Sequence, residues 1–131
     1  VLALDVTYGG EPGPHVCGVA VHAGMTIQEI VQRHTEPLSP VYALGSHPSY
    51  CYLGNMDPQL ATPRRASPVQ SIPGGSVSIG GVQTGVSASP GPSGWNTIGR
   101  TDFVFFDAHA TPPVRLQPGD SIRFRVSRVL A

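Results

Sequence analysis

Residues 1–8, VLALDVTY, alternate loosely between apolar and polar positions and carry Val, Thr and Tyr. That pattern predicts a strand ending at Gly9-Gly10. Residues 14–23, PHVCGVAVHA, are largely apolar with a weak period. Pro14 suits the first turn of a helix and Gly24 a left-handed stop, so a short helix is predicted there. From Thr26 the period lengthens. Ile27, Ile30 and Val31 form an apolar stripe, and Glu29 stands three residues after Thr26, the pattern of a capping box. This second helix ends near His34, ahead of Pro37. Beyond Pro40 short β-type runs take over, at 41–44, 76–79, 82–86, 95–99, 103–106 and 121–126. In the last of these, Ile122, Phe124 and Val126 point to one face and Arg123 and Arg125 to the other.

The turns between these runs include Pro73-Gly74-Gly75, Gly80-Gly81, Pro90-Gly91-Pro92 and Pro118-Gly119-Asp120. Many short strands with such punctuation predict a sandwich or a barrel. A barrel removes sheet edges, which a chain without Lys is poorly equipped to protect, so the predicted fold is mainly β, a barrel with two short N-terminal helices packed on it. Gly and Pro supply 30 of the 131 residues. Long helices do not survive that density of breakers, which excludes a coiled coil or a helical bundle. The length fits a single domain, 1–131. Residues 45–75 show almost no regular pattern, and an irregular stretch of that length is usually functional.

The formal net charge is zero, with eight Arg and no Lys. Nothing in it favours nucleic acid or an anionic membrane as partner. No apolar run approaches the roughly 20 residues of a membrane span. The start lacks a signal peptide, and Cys17 and Cys51 form no CxxC pair, so both are read as buried thiols of a cytoplasmic protein. The histidines His15, His22, His34, His47 and His109 show no ligand spacing, and no metal site is expected. His22 and His34 close the two helices, where a His favours the helix dipole. His47 lies in the irregular stretch beside Tyr50 and Tyr52. The run GGSVSIGG at 74–81 has no Lys and no following helix, so it reads as turns and not as a phosphate loop.

What remains is a set of polar groups near strand ends. Arg64 and Arg65 offer guanidinium forks for a carboxylate or phosphate. Gln83 and Thr84 add an amide and a hydroxyl, Trp95 and Asn96 a ring and an amide, and Arg100 a further fork. With His47 and Tyr52 these are the candidate substrate-binding residues, suited to a small polar or anionic ligand. No catalytic residue is singled out.

YGGEPGP (8–14), YLGNMDPQLATPRRASP (52–68), IPGGSVSIGGVQTG (72–85), SGWNTIGRT (93–101) and LQPGDSIRF (116–124) occur together and in order. As a set they resemble the family of allophanate hydrolase subunit 1, the kinase inhibitor KipI and the B subunit of 5-oxoprolinase, the carboxyltransferase subdomain C and D family. The resemblance covers essentially the whole chain. It implies a cyclophilin-like β-barrel, without the N-terminal α+β domain that family members carry in addition. Arg64, Arg65, Gln83, Thr84, Trp95, Asn96 and Arg100 match the family pattern.

The resemblance also implies an activity and partners. The chain would serve in an ATP-dependent amide-bond hydrolase of the 5-oxoprolinase or allophanate hydrolase and urea carboxylase type, acting on a small polar amide. It would work with a homologous second subunit, of the kind of allophanate hydrolase subunit 2 or the C subunit of 5-oxoprolinase. ATP would be used by the assembled enzyme, with no cofactor held by this domain alone. The alternative is a KipI-like module that binds and inhibits a sensor histidine kinase.

Overall fold

A computed structural model describes residues 2–44, 50–63, 65, 69–72, 74–87, 91–102 and 120–130. Strand β1 (Leu2–Gly9) leads into helices α1 (Val16–Ala23) and α2 (Ile27–Thr35). Strands β2 (Ser39–Leu44) and β3 (Tyr50–Leu53) follow, then a 3-10 turn at Pro58–Leu60. The remaining strands are β4 (Val69–Ile72), β5 (Ser76–Gly80), β6 (Gln83–Ser87), β7 (Gly91–Ser93), β8 (Asn96–Thr101) and β9 (Ser121–Leu130). Seven of them close into a barrel in the order β1-β8-β5-β6-β3-β2-β9, and β4 pairs with β7 as a separate ribbon. This is the predicted mainly-β, cyclophilin-like barrel with two helices.

The helices form where their end signals stand. Thr26 Oγ1 accepts from the Glu29 N–H at 3.1 Å, and Glu29 Oε1 accepts from the Thr26 N–H at 3.2 Å, so both halves of the capping box are made. Gly24 ends α1 in the left-handed region, at φ 68°, where a Cβ would be strained. Val16, Val19 and Ala20 turn inward from α1, and Ile30, Val31 and His34 from α2. Helix α1 packs on β8 and α2 on β9.

Alternation places the core. Leu4, Val6 and Tyr8 of β1, Val77 and Ile79 of β5, and Ile122 and Phe124 of β9 are buried, while Ala3, Asp5, Arg123 and Arg125 are exposed. Arg125 pairs with Asp5 at 2.9 Å on the surface, where such a pair contributes little.

Four expectations need correction. The stretch 45–75 is more regular than its sequence pattern: β3 lies within it and is indispensable, because it joins β6 to β2 and so closes the barrel. Its sequence, YCYL, is β-prone but too short to stand out between Gly and Pro. Strand β9 runs four residues past 126, since its parallel ladder with β1 continues through a bulge to Gly9 and Leu130. Val126 is exposed, unlike Ile122 and Phe124, because the register with β1 shifts just beyond it. Cys17 is an exposed free thiol, because it faces away from β8 on α1. The side chain of Cys51 and the predicted strand 103–106 lie outside the described residues.

Candidate functional site at the barrel rim

Two polar clusters stand at different depths in this fold. The first fills the barrel interior. His34 projects from the last turn of α2 onto Phe124, with ring centroids 4.4 Å apart. Its Nδ1 lies 2.7 Å from the Tyr8 hydroxyl and its Nε2 2.9 Å from Thr84 Oγ1. Thr84 Oγ1 donates to the Ser78 carbonyl at 2.9 Å. That last bond orders the others. A hydroxyl already donating must accept from His34, so the imidazole proton is on Nε2 and Tyr8 donates to Nδ1. Every ring nitrogen is satisfied without a charge. Burial drives the His34 pKa down to about 3 and raises that of the Tyr8 phenol. A helix-dipole role for His34 therefore gives way: the neutral ring acts through core bonds.

Thr84, a candidate binding residue, belongs to this interior chain. It is buried and both roles of its hydroxyl are taken. Gln83, its neighbour in β6, faces the opposite side and is half-buried, and its side chain makes no hydrogen bond among the described residues.

The second cluster is at the rim, where the β5–β6 hairpin, the start of β8 and residues 62, 63 and 65 meet. Thr62 and Gly81 exchange both backbone bonds, at 3.0 and 2.7 Å. The Asn96 amide donates to the Pro63 carbonyl at 2.9 Å and to the Ile79 carbonyl at 3.2 Å. The Arg65 N–H donates to the Gly94 carbonyl at 2.7 Å. The irregular segment is thus riveted to the barrel at three successive points. Trp95 lies flat over Gly80, so close that a Cβ there would penetrate its ring. Tyr52 meets Trp95 edge-on at 5.9 Å between centroids. The result is an aromatic wall held by glycine on one side and by β3 on the other.

The structure therefore brings Tyr52, Arg65, Gln83, Trp95 and Asn96 to one end of the barrel. Asn96 serves there as a strut, with both amide hydrogens committed to backbone carbonyls. Arg100 is not with them. It stands four residues along β8, roughly 13 Å at strand rise, and lines an open cleft of about 330 Å³ with Asp5, Thr7, Asp102 and Ser127. His47 and Arg64 lie outside the described residues.

The sequence pattern did not single out His15, and the structure adds it to the rim. It precedes α1 and bonds twice to Thr97: its N–H donates to the Thr97 carbonyl and its Nδ1 accepts from the Thr97 N–H, each at 2.9 Å. Burial first, and then the Arg65 charge, lower its pKa. Its place just before the first helix was the available signal, since a residue there often caps the helix; here Nδ1 caps β8 instead. Among the described residues no three His, Cys, Asp or Glu side chains gather as a metal site. The run 74–81 forms a turn, strand β5 and a hairpin into β6, with no helix N-terminus to receive a phosphate.

A cyclophilin-like barrel with a pinned, aromatic and arginine-bearing rim defines the class of domain. The family model described as carboxyltransferase domain, subdomain C and D, matches residues 1–116. The chain belongs to that family. It is 44% identical over 94% of its length to the 5-oxoprolinase B subunit of Escherichia coli, covering 56% of that protein. It is 40% identical over 95% of its length to that of Bacillus subtilis, covering 52%. The chain thus spans little more than half the length of these relatives. A solved structure of a conserved uncharacterized protein from Pyrococcus horikoshii superposes with a TM-score of 0.93 at 40% identity, over 97% of this chain and 59% of that one. The urea amidolyase of K. lactis shares the fold, with a TM-score of 0.71 at 16% identity over 96% of this chain and 9% of that one. Among the described residues no helix is long and apolar enough to cross a membrane.

Proposed function

We propose that this chain is the cyclophilin-like part of a 5-oxoprolinase B subunit, one component of an ATP-dependent hydrolase that opens the ring amide of 5-oxoproline. One observation carries the reading. Three 5-oxoprolinase B subunits align with 94–98% of the chain at 40–44% identity, far above the level at which only a fold is shared. The rim supports it chemically. A small cyclic amide acid needs an apolar wall for its ring, a donor for its carbonyl and a cation for its carboxylate. Trp95 with Tyr52, the amide of Gln83, and Arg65 are of those three kinds. Arg64 and His47 stay candidates by residue type alone, and Arg100 is assigned to a neighbouring surface.

ATP is assigned to the assembled enzyme and not to this domain alone. The partner is a homologous second subunit, of the kind of the 5-oxoprolinase C subunit, and the setting is cytoplasmic. The test is ATP-dependent release of glutamate from 5-oxoproline by the full-length protein with its partner subunits. Replacing Arg65 by Ala should lower kcat/KM about tenfold to a hundredfold, the range of one lost charge-assisted bond, and replacing Gln83 by Ala about twofold to tenfold, the range of a neutral one. Unchanged kinetics in both variants would sink the site assignment. Absence of hydrolysis, with binding to a sensor histidine kinase and slowed autophosphorylation, would put the regulatory reading in its place.

A further inference from the structure

Asn96 ties the rim segment that carries Arg65 to the barrel wall through a side chain, where the neighbouring ties are main-chain bonds. Its backbone stands opposite Ile79 in the β5–β8 ladder, and one amide hydrogen of its side chain goes to the Ile79 carbonyl at 3.2 Å. The other goes to the Pro63 carbonyl at 2.9 Å. Ile79 is fully buried and Asn96 is 8% exposed, so the near end of this tie sits in the wall itself. Two residues beyond Pro63, the Arg65 N–H donates to the Gly94 carbonyl at 2.7 Å. Position 63 thus faces 96 and position 65 faces 94, the sense of a short antiparallel ladder. Proline has no N–H, so at position 63 only the carbonyl can be held, and a side-chain amide holds it.

Trp95 stands between those two ties, with its indole seated on Gly80, the residue after Ile79. The Arg65 backbone and the Trp95 ring are therefore referred to one stretch of wall, 79–80 of β5 and the residues 94–96. Without the Asn96 amide, the segment keeps the paired Thr62 and Gly81 bonds before Pro63 and the single Arg65 bond after it. A displacement of about 1 Å at a group that meets a ligand can cost a hundredfold in rate. A tie at this place therefore bears on a ligand site as well as on the fold.

We propose that Asn96 is a positioning residue of the rim site: its amide sets the distance between the Arg65 backbone and the Trp95 ring. Both amide hydrogens are spent on the protein, so the amide cannot donate to a ligand without releasing a carbonyl. That the ligand is 5-oxoproline rests on the reading above; the placement of Arg65 by Asn96 does not.

The test uses the full-length protein with its partner subunits and two variants. Asn96→Asp keeps the shape and turns the donor into an acceptor facing two carbonyls. Asn96→Gln keeps the amide on a stem one methylene longer, and carries the same readouts should the first variant not fold. The Arg65 N–H should exchange with solvent about tenfold faster in the variants, while the Ile98 N–H in the core of β8 is unchanged. The KM for 5-oxoproline should rise about tenfold in Asn96→Asp, with kcat within about twofold. In an Arg65→Ala background the same substitution should change KM less than about twofold, because the two residues act as one unit. Faster Arg65 exchange with no hydrolysis of 5-oxoproline by the parent protein leaves the positioning standing and the oxoprolinase reading fallen. Unchanged Arg65 exchange in both variants overturns the positioning, and normal hydrolysis beside it leaves the oxoprolinase reading standing. Faster exchange with unchanged KM, or an equal rise in KM with and without Arg65, also overturns it.

Discussion

His34 and His15 are the same residue in two regions of one barrel, and their neighbours give them opposite uses. In the interior, His34 has a partner on each ring nitrogen, from Tyr8 and from Thr84, and a ring packed on Phe124. At the rim, His15 has a partner on one nitrogen only among the described residues. Both are held neutral, His34 by burial alone and His15 by burial joined to the charge of Arg65. A closed set of hydrogen bonds has nothing left to offer a ligand and works as structure. An open set retains a directed donor. The difference between the interior histidine and the rim histidine is therefore the count of satisfied nitrogens among the described residues, more than burial or pKa.

The sharpest way to break this contrast is to remove the interior ring. His34→Ala leaves a cavity and strands the Tyr8 hydroxyl in it, while Thr84 keeps only its bond to the Ser78 carbonyl. Cavity and orphaned hydroxyl together should cost about 3–5 kcal/mol, read by urea unfolding. A loss below about 1 kcal/mol would show that the network is not a closed one.

Acid tests the same region more gently. The unfolded chain takes up a proton at His34 near pH 6.5, and the folded chain only near pH 3. Between those values the unfolded state binds more protons. This contribution to stability is therefore complete above about pH 6.5 and is lost as pH falls, by about 1.4 kcal/mol per pH unit. The slope of unfolding free energy against pH should flatten by one proton in His34→Ala. Equal slopes in the two proteins would refute the neutral buried ring.

How much of this was legible in the sequence depends on the range of the signal. Local signals read true: the Thr26 and Glu29 box, the Gly24 stop, and the period-two face of Ile122 and Phe124 all stand in the structure. Strand β3 was hidden, because four residues between breakers acquire strand character only by pairing with β2 and β6. The two histidines were hidden for a related reason. His34 looks like a helix-ending residue until strands from distant parts of the chain place Tyr8, Thr84 and Phe124 around it. His15 depends on Thr97, and no spacing rule connects the two. Among the candidate binding residues, chemical type was readable and depth was not. Gln83 and Thr84 are adjacent in sequence, yet one faces out and the other is built into the core.

At the rim the corresponding break is Gly80→Ala. The added methyl group has no space beneath the Trp95 ring, so the ring must shift. Overpacking of this kind costs about 1–3 kcal/mol. Trp95 is the single Trp of the chain, so its fluorescence reports the displacement directly. Ligand affinity should fall with it, since Tyr52 leans on the same ring, while the His34 signals stay in place. Movement of both sets would mean that the two regions are coupled and that their separate roles are overstated.

The smallest effect sharpens the comparison from the helix that carries His34. Thr26→Ala removes the side chain that accepts from the Glu29 N–H, and a lost cap of this type costs about 1 kcal/mol. It lies at the opposite end of α2 from His34. If the ring anchors the helix by its own bonds and by Ile30 and Val31, fraying at Thr26 should lower Tm by a few degrees only. The His34 and His15 ring signals should not move. A larger loss, with the His34 resonances broadened, would mean that the capping box and the interior chain act as one unit. The lumen histidine would then be held in place by the helix start as much as by Tyr8 and Thr84.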